Sequence, residues 1–365
     1  MMRANMIYLS MDLLCSLITG KERKITKLRQ KDDTMNSFKD IIGQDQIINY
    51  ISKAISKNTL AHAYILTGEK GSGKRMIASL FAMFIQCEQK EVDKDVCGQC
   101  KSCKQSMGNN QPDIIRITHE KANTISVEDV RTQINNTVDI KPYSSPHKVY
   151  IIENAELMTT QAQNALLKNI EEPPGYAVFL LLTQNMEMLL PTIRSRCVIL
   201  KIRNIRDDLI KQHLMDKMSI PENQANLCVA FAAGNIGRAI KLVESEQFDK
   251  MKNEVIHLVT NIGHMETEEI FSVVKKMQEY KPFIVDYLDL MAVWYRDILV
   301  YKATKNMDVV IFKEQMWQVK QKATTSSYGG IERIIGAIEK TKERLKANVN
   351  FELAMELLLL TMKEN

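Results

Sequence analysis

The sequence is poor in the residues on which all-β, membrane and secreted proteins depend. Its 365 residues include only 14 glycines and 8 prolines, and aromatic residues make up 6%. Because sandwiches and barrels need many glycine- and proline-rich turns, this composition favours a helix-rich chain. No apolar run reaches the roughly 18 residues of a membrane helix, and the N-terminal stretch has no small-residue cleavage site of a secretory signal. We therefore expect a cytoplasmic protein with no membrane partner.

A large excess of one charge is missing as well. The chain has 49 basic and 44 acidic residues, a formal net charge of +5. Residues 1–34 contribute +3 of this charge, and the remaining chain contributes only +2. Dedicated nucleic-acid-binding domains carry a denser basic surface, so the charge is compatible with DNA contact without requiring it. Because a well-patterned segment starts at Met35, we interpret residues 1–34 as a loose extension or a mis-assigned start.

What is present is a regular alternation of strand and helix patterns from Phe38 to about Arg203. Strand patterns cover Ala63–Thr67, Asp113–Thr118, Val149–Ile152, Ala177–Thr183 and Cys197–Ile202, and helical patterns cover Asp45–Lys57, Lys74–Gln86, Ser126–Val138 and Thr160–Glu171. Strands separated by helices predict a parallel sheet covered on both faces. Residues 35–204 are therefore expected to form one α/β domain.

The strand patterns stop after Asn204. Helices are predicted at Asp207–Met218, Glu222–Ala233 and Gly237–Glu246, followed by long amphipathic helices such as Pro282–Thr304 and Ile331–Lys346. Apolar residues at helical spacing indicate that each helix buries one face. We expect a small helical domain at 205–247 and an all-α domain at 248–365.

A glycine-rich segment directly after the first strand matches most of a phosphate-binding P-loop. The pattern G-x-x-x-x-G-K places Gly68, Gly71, Gly73 and Lys74 between a strand and a helix. The glycines let backbone N–H groups surround a phosphate, and the lysine neutralises its oxygens. Arg75 stands where a serine or threonine hydroxyl would bind Mg²⁺, and a guanidinium cannot bind a cation. The loop is therefore either kept for its fold or binds a nucleotide without turnover.

The second half of such a site departs from the pattern too. An active ATPase of this type ends its strand with an aspartate for the Mg²⁺ shell and often a glutamate that orients water. Here Glu153 and Asn154 follow the strand, and an amide cannot act as a base near neutral pH. Thr183 ends another strand, where it either lies near a phosphate or belongs to an ordinary turn. Hydrolysis by this chain is therefore not expected.

Four of the seven cysteines lie within 17 residues. Cys87, Cys97, Cys100 and Cys103 have the spacing C-x₉-C-x₂-C-x₂-C. Four thiolates at short spacing suit tetrahedral Zn²⁺ and leave no open position, so the predicted role of the zinc is structural. An iron–sulfur cluster and free thiols are the alternatives. This zinc insertion, 87–103, lies between the P-loop helix and the next strand.

Two arginines come immediately before the last strand, in the segment Arg194-Ser195-Arg196-Cys197. A lone surface arginine is usually solvated or ion-paired. Its functional alternative is an arginine finger that reaches a phosphate bound by a neighbouring subunit. The spacing alone does not decide between these roles for Arg196.

Several motifs follow one another in an order that is hard to obtain by chance. They are Phe38-x-x-Ile-Ile-Gly-Gln, Ala61-His-Ala-Tyr, the P-loop with the four-cysteine insertion after its helix, Asn164-Ala-Leu-Leu-Lys-x-x-Glu-Glu-Pro-Pro and Leu190-Pro-Thr-Ile-x-Ser-Arg-Cys. Together they resemble the bacterial clamp-loader AAA+ family of DNA polymerase III, in particular its δ′ (delta prime) branch of the Gram-positive type. The resemblance covers about nine-tenths of the chain.

This resemblance implies roles for single residues and for the helical domains. Arg196 matches the arginine of the family's S-R-C motif, which acts in trans on ATP held by an adjacent γ/τ subunit. Thr183 matches the sensor-1 position, and Gly237 stands where motor subunits carry the sensor-2 arginine. By the same resemblance, residues 205–247 correspond to the lid domain. Residues 248–365 correspond to the collar that holds the loader ring together.

The resemblance thus implies a stator that closes one end of a pentameric ring with γ/τ and δ subunits and supplies Arg196 to its neighbour's ATP. Through the assembled complex it would meet the sliding clamp and primed DNA during replication. The complex is a DNA-directed DNA polymerase holoenzyme, but catalysis by this chain itself is not expected. Two alternatives stay open: an ATP-hydrolysing γ/τ-like motor, and a zinc-dependent DNA-binding protein with a vestigial P-loop.

Overall fold

A computed structural model of the protein describes residues 37–89, 95–119, 121 and 123–365. The extension predicted at residues 1–34 lies outside the described residues. The chain divides into two compact units, the first ending at Ile205 and the second running from Arg206 to Asn365. All strands of the described residues belong to the first unit.

The first unit is built on a five-stranded sheet. Its strands are β1 (Ala63–Thr67), β2 (Ile114–Arg116), β3 (Lys148–Ile152), β4 (Ala177–Thr183) and β5 (Val198–Lys201). They lie in the order β2-β3-β4-β1-β5, and every neighbouring pair is parallel. Thr67, the last residue of β1, lies opposite Thr183 on one side and Lys201 on the other. The carboxyl ends of the strands therefore meet at one edge, where α/β proteins place their ligand sites.

Helices connect these strands and cover both faces of the sheet. They are α1 (Asp45–Ser56), α2 (Lys74–Gln86), α3 (Lys101–Met107), α4 (Val127–Val130), α5 (Asn136–Val138), α6 (Thr160–Glu171) and α7 (Pro191–Arg194), with a π-helical turn at Arg131–Asn135 and 3₁₀ turns at Phe38–Asp40, Ala155–Leu157 and Met186–Met188. Side chains alternate along a strand, so two apolar clusters form, one on each face. Tyr64 and Leu66 belong to one cluster, and Ala63 and Ile65 belong to the other.

The second unit consists of helices packed on one another. They are α8 (Asp207–Met218), α9 (Glu222–Ala232), α10 (Ile236–Glu244), α11 (Glu246–Asn261), α12 (Thr267–Met277), α13 (Ile284–Thr304), α14 (Met316–Thr325), α15 (Tyr328–Lys346) and α16 (Phe351–Lys363), with 3₁₀ turns at Ile262–His264, Gln278–Phe283 and Lys313–Gln315. The long helix α13 is buried along much of its length, and its Leu288, Trp294 and Ile298 are almost wholly enclosed.

The expected fold class is confirmed: a P-loop-type α/β domain with a parallel sheet, followed by helices. Five predicted elements have the observed bounds, namely Ala63–Thr67, Lys74–Gln86, Thr160–Glu171, Ala177–Thr183 and Asp207–Met218. Ser126 and Asp129 form a capping box at the start of α4, with both of its hydrogen bonds. Among the described residues, no helix combines the length and apolarity needed to cross a bilayer.

Three elements differ from their predictions for identifiable reasons. The helix predicted at 126–138 is interrupted by the π-helical turn at Arg131–Asn135. The helix predicted from Pro282 begins at Ile284, because Pro282 lies in a preceding 3₁₀ turn. Helix α3 begins inside the cysteine insertion and ends beyond it, and it is not among the predicted elements, because its polar sequence has no amphipathic period.

Candidate functional site

The P-loop candidate lies at the carboxyl end of strand β1, between β4 and β5. Gly71 and Gly73 both have φ of +89°, a left-handed conformation that favours glycine. Gly73 precedes α2, whose first residue is Lys74. The Lys74 ammonium donates to the carbonyl oxygens of Gly68 and Glu69, at 2.6 and 2.7 Å. Burial lowers the pKa of Lys74, and the ammonium is turned back into its own loop.

Arg75 closes the position at which the P-loop pattern would hold Mg²⁺. Its Nε donates to Oε2 of Glu153 at 2.8 Å, which links the start of α2 to the end of β3. Arg116, the last residue of β2, approaches the other carboxylate oxygen of Glu153 at 3.4 Å and donates to the Ser79 hydroxyl at 2.8 Å. Glu153 thus contacts two guanidinium groups. The residues present do not fit a Mg²⁺ ion between the loop and the strand, because the Glu153 carboxylate that would bind the ion is already paired with the Arg75 guanidinium.

The other two residues of the predicted nucleotide site lie at the same sheet edge. Asn154 follows Glu153 in a left-handed conformation, with φ of +50°. Thr183 is fully buried at the end of β4; its hydroxyl accepts from the Asn185 N–H at 3.1 Å, and its carbonyl accepts from the Gly68 N–H at 3.2 Å. Thr183 therefore joins the P-loop to the neighbouring strand through its backbone.

Sequence reasoning missed two charged residues of this edge. Arg116 follows two isoleucines and ends the short strand β2. A basic residue at a strand end is the feature of the sequence that could have indicated it. Glu156 belongs to the acidic segment after β3; it accepts from the Gln184 N–H at 3.3 Å and opposes the lowering of the Lys74 pKa. Both residues reach the site through the parallel register of the sheet, which a single sequence does not specify.

Arg196 lies outside this cluster, between α7 and β5. Its guanidinium pairs with Glu171 at 2.9 Å and also donates to the Thr192 carbonyl at 3.1 Å. Both side chains of the pair are partly exposed, Arg196 by 42% and Glu171 by 39%. Arg194, two residues earlier, pairs instead with Glu187 at 2.5 Å. Arg196 is thus an accessible cation held at the surface by one carboxylate.

The four cysteines of the insertion form a compact cluster. Their sulfur atoms all lie within 4.8 Å of one another. A Zn–S bond of about 2.3 Å in a tetrahedron implies sulfur–sulfur distances of about 3.8 Å. The Cys97 and Cys103 sulfurs are 3.9 Å apart, so the residues present fit a tetrahedral ion.

Burial and neighbouring N–H groups shift the pKa values of these thiols in opposite directions. Burial raises the pKa of the Cys87 and Cys103 thiols. Burial acts in the same sense on Cys97, but N–H groups of Cys100 and Gln99 outweigh it and bring the pKa of Cys97 down to about 7. Thiolates in such a site need a positive partner, which a divalent metal ion supplies.

Polar contacts join the insertion to the rest of the first unit. The buried carboxylate of Asp95 accepts from the backbone N–H groups of Phe38, at 2.9 Å, and Val96, at 2.7 Å. The Gln111 amide donates to the hydroxyls of Ser102, at 2.6 Å, and Ser145, at 3.0 Å. These hydrogen bonds hold the insertion and the first turn of α3 against neighbouring loops.

In the second unit, Gly237 lies in the first turn of α10 and offers no side chain at the expected sensor-2 position. The next residue, Arg238, pairs with Asp286 of α13 at 2.9 Å. This arginine is thus engaged within its own unit.

Two family models match the chain. The model of the DNA polymerase III delta subunit matches residues 43–206, and the model of the C-terminal part of that delta subunit matches residues 245–364. Together they cover more than three quarters of the chain.

Individual relatives agree with these models. The chain is 29% identical to DNA polymerase III subunit delta' of Bacillus subtilis over 328 residues, 88% of this chain and 96% of that protein. It is 37% identical to subunit tau/gamma of Haemophilus influenzae over 213 residues, 57% of this chain but only 30% of that longer protein. Among solved structures it is similar to a DNA polymerase III gamma subunit-related protein of Thermotoga maritima, with 21% identity, a TM-score of 0.38 and coverage of 87% and 98%.

Proposed function

The chain belongs to the DNA polymerase III clamp-loader subunit family, and from this premise we propose that it is a delta prime-type stator. In this role it does not hydrolyse ATP itself. It closes one end of a ring with γ/τ and δ subunits and presents Arg196 to ATP held by the adjacent γ/τ subunit. The assembled complex then loads the sliding clamp on primed DNA.

The proposal rests on one contrast. In the chain's own P-loop site, Arg75 is paired with Glu153, whereas Arg196 is accessible at the surface. Glu153, which follows β3 where an active ATPase of this type places its acidic residues, is contacted by the guanidiniums of Arg75 and Arg116. Asn154 adds no general base. A chain with these features has little means of its own to hold Mg²⁺ or to activate water.

Arg196 supports the second half of the proposal. An arginine finger must carry a permanent charge, reach the protein surface and be held loosely enough to meet a phosphate. The Arg196 side chain is 42% exposed and has one carboxylate partner, Glu171, which is exposed to a similar degree. An ion pair of this kind is worth about 0.2–1 kcal/mol, so a bound phosphate can replace it at small cost.

Cys87, Cys97, Cys100 and Cys103 are proposed to hold one structural Zn²⁺ ion. In that role the ion stabilises the segment between α2 and β2 and takes no part in chemistry. The same proposal leaves Gly68–Arg75 as a loop that contributes shape to the ring interface, with or without a bound nucleotide.

The test is the clamp- and DNA-stimulated ATPase of a loader reconstituted with this chain. We expect Arg196→Ala to slow hydrolysis at the adjacent site by roughly 10³-fold or more, since removed arginine fingers cost 10³–10⁵. Arg194→Ala is the matched control, because Arg194 lies in the same segment but pairs with Glu187. An unchanged rate in Arg196→Ala would reduce that residue to a surface ion pair. Steady turnover by the purified chain alone would favour the motor alternative.

A further inference from the structure

Aromatic rings and lysine side chains alternate on one surface of the second unit. The Lys305 and Lys320 ammonium groups lie 5.5 and 5.9 Å from the centre of the Tyr301 ring. Tyr301 and Lys305 belong to the C-terminal end of α13, and Lys320 belongs to α14. We name Tyr301, Lys305, Trp317 and Lys320 the lysine–aromatic patch.

Trp317 is the most exposed member of this patch. It precedes Lys320 by three residues on α14, so the two side chains share a helix face. Its side chain is exposed by 71%, whereas the chain's other tryptophan, Trp294, is exposed by 1%. Because burying an indole stabilises a contact by several kcal/mol, an indole left this open is suited to bind a flat apolar group.

The backbone under the patch is fixed. The buried carboxylate of Asp297 on α13 accepts from the N–H groups of Ile311 and Phe312, both at 2.8 Å, and so anchors the loop that leads into α14. Lys302 on α13 donates to the Ala323 carbonyl at the end of α14, at 2.7 Å. The two helices that carry the patch are therefore held together at both ends of α14.

The charge around the patch is positive. The segment from Tyr301 to Tyr328 contains five lysines and two acidic residues, Asp308 and Glu314. A second lysine–ring pair lies beside the patch, since the Lys302 ammonium is 5.2 Å from the centre of the Tyr328 ring, which is exposed by 51%. An anionic partner with flat apolar groups is complementary to such a surface.

We propose that the lysine–aromatic patch binds single-stranded nucleic acid. In this mode an unpaired base stacks on Trp317 while Lys305 and Lys320 contact the flanking phosphates. Single-strand-binding proteins combine these two components, a positively charged groove and exposed aromatic rings, and bind without reading sequence. The patch prefers a single strand over a duplex because the bases of a duplex stack on each other and leave no free face. This inference concerns the second unit and does not depend on the P-loop or on Arg196.

The two tryptophans make the test direct. The full chain is titrated with a single-stranded oligonucleotide, (dT)20, at low salt while tryptophan emission is recorded. Since Trp294 is enclosed, quenching that saturates with the oligonucleotide reports on Trp317. We expect Trp317→Ala to weaken binding about tenfold and to abolish the quenching, given the usual worth of one base–aromatic stack. Trp317→Phe keeps a stacking ring and is expected to retain most of the affinity.

Salt dependence separates the phosphate contacts from stacking. We expect Lys320→Ala to reduce the slope of log K against log salt by about 0.7, the contribution of one phosphate contact to a single strand. Lys250→Ala is the matched control, because Lys250 is exposed on α11, outside the patch. The proposal is overturned if (dT)20 binds Trp317→Ala as tightly as wild type. Equal quenching by polyglutamate would instead identify a surface for an acidic protein segment, and equal affinity for a duplex would exclude base stacking.

Discussion

Two arginine–glutamate ion pairs of the first unit differ in how exposed the carboxylate is and in how many cations contact it. The Arg75 guanidinium is exposed by 72%, but its partner Glu153 is exposed by only 23% and is shared with Arg116. The Arg196 guanidinium is exposed by 42%, and its partner Glu171 by 39%. In the first pair the carboxylate is enclosed between two cations, whereas in the second a single exposed carboxylate holds one cation.

An arginine can therefore block a metal site when it pairs with an enclosed carboxylate, and can stay able to meet a phosphate when its partner is exposed. Around Arg75 the arginine takes the place of a metal ion between the P-loop and β3, so the Glu153 carboxylate is neutralised from inside the chain. Around Arg196 the arginine stays exchangeable, because an exposed pair is screened by solvent and costs little to break. On the proposed function, the same residue type blocks chemistry in the chain's own site and is available to act on a neighbour's.

The largest difference between the two pairs is expected when the same substitution is made in both. Lysine keeps the positive charge but lacks the planar fork that contacts two phosphate oxygens. We expect Arg196→Lys to lower the ATPase rate of the reconstituted loader by roughly 10²-fold, somewhat less than full removal of a finger. Arg75→Lys should leave the rate unchanged. Equal effects of the two substitutions would contradict the assignment of the finger to Arg196.

Removing the metal tests whether the position of α2, the helix that carries Arg75, depends on the cysteine cluster. Arg75 is the second residue of α2, and Cys87 directly follows the last residue of that helix. A metal ion bound by the four cysteines would therefore anchor the far end of α2. We expect one zinc per chain by elemental analysis, and we expect Cys100→Ala to lose the metal and to melt at a lower temperature. Cys228→Ala is the control, since Cys228 is buried in α9 of the second unit.

Cys100→Ala should still support Arg196-dependent ATP hydrolysis at a temperature at which it stays folded, because Arg196 lies on another connection of the sheet. A purified chain without metal, or one with the visible absorption of an iron–sulfur cluster, would contradict the zinc assignment.

Much of the fold could be predicted because its elements repeat strong local patterns. Strands β1 and β4 are continuous apolar runs bounded by polar turns, and α2 begins at a glycine-rich loop, so these elements have the predicted bounds. Helix α3 is different, because it is short and polar and its first turn is capped by the Cys100 sulfur, which accepts from the Cys103 N–H. Such a helix has no apolar period for a sequence pattern to reveal.

The candidate site was predictable residue by residue but not pair by pair. The P-loop, Glu153 and Asn154 follow from motif spacing, and the four cysteines follow from theirs. The partners of Arg75 and Arg196 do not, because Glu153 and Glu171 reach them through the order and register of the parallel strands. Arg116 shows the same limit: it lies 37 positions before Glu153 in the sequence but 3.4 Å from it in the fold.

A smaller effect is expected from the carboxylate that holds Arg196. Glu171→Gln keeps the size and an oxygen acceptor but removes the charge, so Arg196 loses part of its orientation. Because both side chains are exposed, we expect the loader's ATPase rate to fall by roughly fivefold at most, the equivalent of a surface pair worth up to about 1 kcal/mol. The loss should shrink at high salt, where the pair is screened. The neighbouring Glu172→Gln is the matched control, and an equal loss in both variants would contradict a role for Glu171 in orienting Arg196.

The smallest effect is expected at Arg75 itself. Arg75→Thr restores the residue type of the P-loop pattern and releases one oxygen of Glu153, while Arg116 and Asn154 remain. Because the Arg75 side chain is mostly exposed, we expect a change in unfolding free energy below about 1 kcal/mol, measured by urea denaturation. We also expect no ATP turnover by the purified variant, since Asn154 still supplies no base. Turnover gained from this one substitution would show that Arg75 alone closes the site and that Arg116 and Asn154 contribute nothing to its closure.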